Sequence, residues 1–274
     1  MTPPSFPAAA LRVFDLSVGE MLWSRRTIFM ALIAGGPVVI ALFTRMLDSL
    51  GWFGGVEVNR VAIAGPTLFG LMIWVFYLRF TIPVLGAFYG TALIADEVDD
   101  KTITYLFTRP VPRGAVLAGK YLAYLACTTL VVLPSVVLVY LLVTPIRGQL
   151  GASFIPLLRD LGLLGLGLAV YGALFAWIGA QLKRPLLFGL IFVIGWEPTA
   201  LLVPGYLRNF TVAYYLQALV PHAMPQDGVM SLLQGLFREA PGPLASVAWL
   251  CGLWIVFLLL AVQAVERREY VLDQ

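Results

Sequence analysis

The chain has 274 residues, of which 60% are hydrophobic and 12% are charged, and its mean hydropathy is +0.90. Soluble domains contain roughly 45–50% apolar residues, so this composition excludes an ordinary soluble domain and predicts an all-α, polytopic membrane protein. The net charge is only +3, and no basic patch interleaved with aromatic residues indicates a nucleic-acid partner.

The N-terminal 26 residues form a short Pro- and Ala-rich tail followed by an amphipathic stretch. Within residues 9–26 the apolar residues recur at helical spacing, as Leu11, Phe14, Val18 and Leu22. This pattern predicts an interfacial helix that lies in the plane of the lipid headgroups, with a soluble leader as the alternative.

Six apolar segments follow, each close to the ~20 residues that a helix needs to cross a bilayer. They cover residues 27–43, 68–95, 121–143, 161–182, 185–203 and 244–265. The fourth is rich in glycine, which lets helices approach one another closely, so we expect it to pack inside the bundle. The segment 204–243 is expected to form short membrane-associated helices on the outer side. The sequence thus predicts a single transmembrane domain over residues 1–274.

The distribution of Lys and Arg predicts the orientation, because cytoplasmic loops carry the excess of these residues. With the N-terminus inside, eleven fall on the inner side: Arg12, Arg25, Arg26, Lys101, Arg109, Arg113, Lys120, Lys183, Arg184, Arg267 and Arg268. Six fall on the outer side: Arg45, Arg60, Arg147, Arg159, Arg208 and Arg238. We therefore expect a multi-pass protein of the cytoplasmic (inner) membrane with both termini in the cytoplasm.

The densest run of charge is residues 96–120, between the second and third apolar segments. Four carboxylates come first, and an amphipathic piece with Ile103, Leu106 and Phe107 follows. Two prolines end this piece, and the basic residues Arg109, Arg113 and Lys120 lie beside or after them. Carboxylates at the start of a helix and cations near its end both suit the helix dipole. We expect a short cytoplasmic helix over residues 96–108 whose apolar side chains are available to a partner.

This stretch resembles the corresponding segment of the ABC-2 type permeases, the membrane subunits of one class of ABC transporter. The residues that carry the resemblance are Glu97, Thr102, Leu106, Pro110, Arg113 and Lys120, while Lys101 stands where a glycine is usual. A second piece, Gly195-Trp196-Glu197 followed by Thr211-Val212-Ala213-Tyr214-Tyr215-Leu216, is also similar to this family.

The resemblance implies a permease that exports or extrudes a lipid or another hydrophobic substrate, driven by a separate ATPase subunit that binds ATP and Mg. It also implies a second permease, either an identical copy or a homologue, and membrane lipid as surroundings. Residues 96–113 would be the coupling segment, in which the ATPase contacts are Asp96, Glu97, Thr102, Ile103, Leu106, Phe107, Arg109 and Arg113. The alternative is a secondary transporter or channel that works without an ATPase.

Catalytic and cofactor-binding motifs are not found in the sequence. It contains neither the G-x-x-x-x-G-K-[ST] of a P-loop nor an H-E-x-x-H, and His222 is its single histidine. We therefore expect a protein that is not an enzyme and that holds no cofactor or metal of its own. Cys127 and Cys251 lie within apolar segments, where they are expected to act as small hydrophobic residues.

Two charges fall at membrane depth, Arg79 in the second apolar segment and Glu197 in the fifth. Such residues are costly in a bilayer and usually face a protein interior or a cavity. We hypothesise that they pair, with Arg79 bound to a carbonyl freed by Pro198 as the alternative. A snorkelling Arg79 and a structural Glu197 are the simpler interpretations.

Overall fold

A computed structural model describes residues 5–23, 25–51, 57–58, 61–62, 64–99, 112–146, 148–202, 206–221 and 241–267. This part of the chain is a helical bundle. Its helices are α1 (Phe6–Leu22), α2 (Arg25–Ser49), α3 (which runs from Gly65 to Asp99), α4 (Arg113–Val143), α5 (Phe154–Gln181), α6 (which runs from Pro185 to Leu202), α7 (Val212–Ala218) and α8 (Pro243–Arg267).

Five of these helices are long and apolar enough to cross a membrane: α2, α3, α4, α5 and α8. The helix α6 is also apolar but shorter, at Pro185–Leu201. The sequence prediction of a helical, polytopic membrane domain is therefore confirmed at the level of five long helices, and the shorter α6 occupies the place of the fifth predicted segment.

Helices α3 and α6 contain π-helical turns. In α3 these are Ile73–Thr81 and Gly86–Gly90, which separate the α-helical pieces Gly65–Met72, Ile82–Leu85 and Thr91–Asp99. In α6, Phe192–Trp196 is π-helical between Pro185–Ile191 and Glu197–Leu202. A proline ring clashes with the carbonyl four residues earlier, and a wider turn relieves that clash. This accounts for the π segments just before Pro83 and Pro198.

Helices α3 and α5 approach each other so closely that glycine is required at the contact. A Cβ atom on Gly179 of α5 would lie 2.4 Å from the Thr91 carbonyl oxygen of α3. On α3, a Cβ on Gly86 or Gly90 would lie 2.8 Å from the Cβ of Tyr171 or Phe175. The predicted packing role of α5 is thus confirmed at this contact, whereas nothing lies within 4 Å of Gly162 or Gly165.

Helix α1 packs on the first turns of α4. Gly119 of α4 allows this contact, because a Cβ there would lie 2.5 Å from the Ala10 carbonyl oxygen and 2.8 Å from the Cβ of Val13. The small residues Ala9 and Ala10 are buried, while Leu11 is 59% exposed. A helix is therefore present where the N-terminal interfacial helix was predicted, with its small residues turned toward α4, and its place in the headgroup plane stays a prediction.

The boundaries around the charged segment differ from the prediction. Helix α3 continues through Asp99, so Asp96 lies near the end of a long helix and not at the start of a separate one. Helix α4 begins at Arg113, eight residues earlier than predicted, directly after Pro112. The predicted coupling residues Thr102, Ile103, Leu106, Phe107 and Arg109 lie outside the described residues, as does the side chain of Glu97.

We call the end of the bundle with Arg113, Lys183, Arg184 and Arg267 the basic end. The opposite end carries a two-stranded antiparallel ladder that the sequence did not predict, β1 (Glu57–Val58) and β2 (Val61–Ala62), with Val58 opposite Val61. It also carries two 3₁₀ turns, Gly151–Ser153 and Tyr206–Phe210, and helix α7. The short helix α7 lies within residues 204–243, of which 204–205 and 222–240 are outside the described residues, and the membrane-associated helices expected there stay a prediction.

Candidate functional site

Glu197 is a buried carboxylate at the π-to-α junction of α6. Its side chain is 4% exposed. The hydroxyl of Tyr171, on α5, donates to both carboxylate oxygens, at 2.6 Å for Oε1. The backbone N–H of Ala213, in the first turn of α7, donates to Oε1 at 3.4 Å. One carboxylate therefore joins three helices, α5, α6 and α7.

The N-terminus of α7 is shaped to receive this carboxylate. Thr211 precedes the helix in an extended conformation, and its side-chain oxygen accepts the Tyr214 N–H at 3.3 Å. The first N–H groups of a helix have no partner within the helix and lie at the positive end of its dipole. The structure thus brings together the two halves of the second sequence pattern, Glu197 and the run that begins at Thr211.

Arg79 lies in the first π segment of α3. Its guanidinium stacks on the ring of Trp74, 5.0 Å from the ring centroid, and its Nε has no hydrogen-bond partner. Arg79 interacts electrostatically with Glu197 and with Tyr171. The hydrogen bonds of Glu197, however, go to Tyr171 and Ala213, neither of which was predicted as its partner.

Chemically, this cluster holds a buried carboxylate between fixed donors. Removing such donors would leave a buried charge uncompensated, which is costly. Among the described residues no group of three or more His, Cys, Asp or Glu side chains could hold a metal ion. Because its hydrogen bonds join α5, α6 and α7, the cluster has the character of a structural tie between these three helices.

Aromatic hydroxyls make three further ties between helices that the sequence reasoning missed. Tyr121 of α4 donates to the Ala169 carbonyl at 2.7 Å and accepts from Trp254 Nε1 of α8 at 2.7 Å. Tyr124 donates to the Leu168 carbonyl at 3.0 Å. The Tyr77 and Ser135 hydroxyls of α3 and α4 lie 3.0 Å apart. Tyrosines at helical spacing in an apolar segment are the signal that could have pointed to them.

The helix ends at the basic end are also joined. Arg113, the first residue of α4, donates from Nη1 to the Glu266 carbonyl of α8 at 3.5 Å. The next residue, Gly114, faces Glu266 and Val262 of α8 and Phe6 of α1. Of the predicted coupling residues that follow α3, Arg113 is the one within the described residues, and it begins a junction of α1, α4 and α8.

Beside this end a cavity of about 800 Å³ opens between α2, α3 and the turn that joins α5 to α6. Its lining residues are Phe29, Phe88, Tyr89, Thr91, Ala92, Ala95, Asp96, Lys183, Arg184, Pro185, Leu186 and Leu187. Of the predicted site residues, Asp96 belongs to this cavity, whereas Arg79 and Glu197 do not.

A family model described as ABC-2 family transporter protein matches residues 14–270. The chain belongs to this family. The match extends from α1 to beyond the end of α8 and so includes both the buried carboxylate cluster and the basic end. Together with the five long apolar helices, it makes the protein a multi-pass membrane component of an ABC transporter, and the suspected ABC-2 resemblance is confirmed. Among curated proteins no sequence matches the chain significantly.

Proposed function

We propose that this ABC-2 protein is the permease subunit of an ATP-driven exporter of lipids or other hydrophobic substrates, powered by a separate ATPase subunit that binds ATP and Mg. The observation that carries the proposal is the family match over residues 14–270. A second permease, identical or homologous, completes the transporter.

The coupling segment, residues 96–113, is the proposed contact with the ATPase. It connects the end of α3 to the start of α4, and α4 starts in the junction with α1 and α8. A displacement of this segment would therefore act on α3, which leads to Arg79, and on three helix ends at once. That position suits the transmission of ATPase closure to the bundle.

The test of the coupling segment is co-purification with a P-loop ATPase in mild detergent, any such ATPase in a neighbouring reading frame being the first candidate, and ATP hydrolysis by the complex. Leu106→Asp with Phe107→Asp would place two charges in the contact, where an unpaired buried charge costs several kcal/mol. We expect loss of the complex and of stimulated hydrolysis. The matched control is Phe210→Asp, since Phe210 is 75% exposed at the opposite end.

If the double Asp variant assembles and hydrolyses ATP normally, residues 96–113 are not the coupling segment. If the isolated chain instead moves its substrate in proteoliposomes without an ATPase, the protein is a secondary transporter or channel, and the proposed function fails.

We further propose six membrane crossings with both termini in the cytoplasm, so that the basic end is cytoplasmic. In support, α6 presents Leu187, Phe188 and Ile191 outward, 50–57% exposed, as a lipid-facing helix would. Its 17 residues, Pro185–Leu201, reach roughly 26 Å at 1.5 Å per residue, close to the ~30 Å of a hydrocarbon core.

Cysteine labelling tests this topology in a variant whose native Cys127 and Cys251 are replaced by Ala. An impermeant maleimide added outside intact cells should label Asn209→Cys, at the opposite end, and should miss Arg184→Cys, at the basic end. The reverse pattern would contradict the orientation, and labelling of both from outside would contradict the crossing of α6.

A further inference from the structure

The cavity at the basic end has two unlike parts. Its floor and wall are apolar: Phe29 of α2 packs against Phe88 of α3, with ring centroids 4.4 Å apart. Phe88, Ala92 and Ala95 are spaced four and three residues apart and so share one face of α3. Because two of these three side chains are alanine, that face leaves room between α3 and its neighbours.

The charged part of the lining lies on both sides of the mouth. Lys183 and Arg184 stand on the α5–α6 turn, and both are exposed. Within the described part of the chain neither side chain is engaged in an ion pair. Asp96 lies on the α3 side and has a partner of its own. The described lining therefore carries two cations against one carboxylate.

The cavity also opens toward the surface that α6 presents to lipid. Leu186 and Leu187 line it, and they are 41% and 51% exposed. A molecule in the adjacent leaflet can thus reach the apolar interior sideways while its polar group stays beside Lys183 and Arg184. The volume, about 800 Å³, is within the range of roughly 300–1,000 Å³ of small-molecule pockets.

From this juxtaposition we infer that the cavity binds a phosphate-bearing, anionic amphiphile, with its phosphate at Lys183 and Arg184 and its acyl chain against Phe29 and Phe88. This deepens the proposed function, because it names the substrate class of the permease. The inference that the lipid binds does not depend on the proposed function; only the statement that the bound lipid is then transported rests on it. A soluble phosphate compound would be held by the same two cations but would gain nothing from the apolar wall.

The probe is phosphatidylglycerol with a photoreactive diazirine in its acyl chain, placed in phosphatidylcholine nanodiscs that hold the permease without an ATPase. After irradiation, mass spectrometry of the digested protein locates the attached lipid. We expect labelling at cavity residues, with Phe29, Phe88 or Leu187 among them. The equivalent phosphatidylcholine probe should label these positions at least tenfold less.

Two test variants and one control distinguish the contribution of the charged part of the site from that of its apolar part. Lys183→Ala with Arg184→Ala should weaken phosphatidylglycerol labelling in the cavity roughly thirtyfold, since a basic residue near an anionic lipid contributes about a factor of five in affinity. Arg45→Ala with Arg159→Ala is the control, because it removes two cations at the opposite end. Ala95→Phe should reduce labelling by filling the space, with no change in charge.

Free glycerol 1-phosphate distinguishes a lipid site from a soluble-anion site. It should not compete with the probe at millimolar concentration; if it does, the site binds soluble phosphates and the inference is overturned. Equal labelling by phosphatidylcholine, or unchanged labelling in the Lys183/Arg184 variant, also overturns it. None of these outcomes contradicts the proposed coupling to an ATPase. Conversely, failure to co-purify with an ATPase would contradict the proposed function but would not contradict lipid binding in the cavity.

Discussion

Helices α3 and α5 differ sharply from α2 and α8, although all four are apolar. Within the most apolar 18 residues of each helix, 67% of the residues are buried in α3 and in α5, against 22% in α2 and 17% in α8. Mean hydropathy does not separate them, since it is 1.9 and 2.0 for the buried pair and 2.1 and 2.4 for the exposed pair.

The difference lies in side-chain size and polarity. Lipid tails are as apolar as leucine, so apolar side chains alone do not drive helices together in a membrane. Association there depends on close packing and on hydrogen bonds between helices. Helices α3 and α5 supply both, through glycines such as Gly90 and Gly179 and through Tyr171, whereas α8 contributes Trp254 at its contact with α4. The remaining faces of α2 and α8 stay exposed in the described part of the chain.

The largest expected effect comes from filling the α3–α5 contact. Gly179→Leu should destabilise the protein by more than about 3 kcal/mol, because its Cβ would lie 2.4 Å from the Thr91 carbonyl oxygen. Thermal unfolding in detergent measures this. Gly165→Leu on the same helix is the control, since nothing lies within 4 Å of that position. Similar losses for the two variants would contradict a difference in packing along α5.

Deleting a buried side chain from α5 should matter more than deleting an exposed one from α8. Leu164 is fully buried, so Leu164→Ala should cost about 3 kcal/mol, chiefly through the cavity left behind. Leu259 is 58% exposed, and Leu259→Ala should stay within about 0.5 kcal/mol. Urea or thermal unfolding of the two matched variants decides the point. A large loss for Leu259→Ala in the purified protein would show that a second chain covers α8.

In the carboxylate cluster, the contribution of Glu197 to stability should depend more on Tyr171 than on Arg79. Glu197→Leu should cost about 2 kcal/mol, because it removes the acceptor of the buried Tyr171 hydroxyl and of the Ala213 N–H. In double-mutant cycles, the coupling energy between Glu197→Leu and Tyr171→Phe should exceed that between Glu197→Leu and Arg79→Leu. The reason is that Glu197 is hydrogen-bonded to Tyr171 and not to Arg79. The opposite ranking would mean that the Arg79–Glu197 ion pair is the main tie.

A small effect is expected where α8 is hydrogen-bonded to α4. Trp254→Phe removes the hydrogen bond from Nε1 to the Tyr121 hydroxyl and keeps most of the ring contacts, so it should cost about 0.6 kcal/mol. Tyr121 retains its bond to the Ala169 carbonyl. If Trp254→Phe lowers the free energy of unfolding by as much as Tyr121→Phe does, the Trp254 indole is the main partner of the Tyr121 hydroxyl, and the Ala169 carbonyl is not.

Much of the fold could be predicted from the sequence because a bilayer imposes length and polarity directly on each segment. The apolar segments, the turn at Lys183 and Arg184, the glycine-rich packing helix and the placement of Arg79 and Glu197 within apolar helices all follow from such local rules. The boundaries near Asp96 and Arg113 were wrong, because each long helix extends past the apolar run that marked it. Charged residues can continue a helix once its apolar part is fixed by packing.

The sequence by itself determined that the chain is a membrane protein, which segments are apolar enough to span, and which family it resembles, since these depend on composition and on patterns within single segments. Only the tertiary structure decided which helices are buried, that Tyr171 and the start of α7 hold Glu197, and that two cations stand at the mouth of an apolar cavity. Those features depend on contacts between residues far apart in the chain, and apolar helices of nearly equal hydropathy carry no local signal for which neighbour each will pack against.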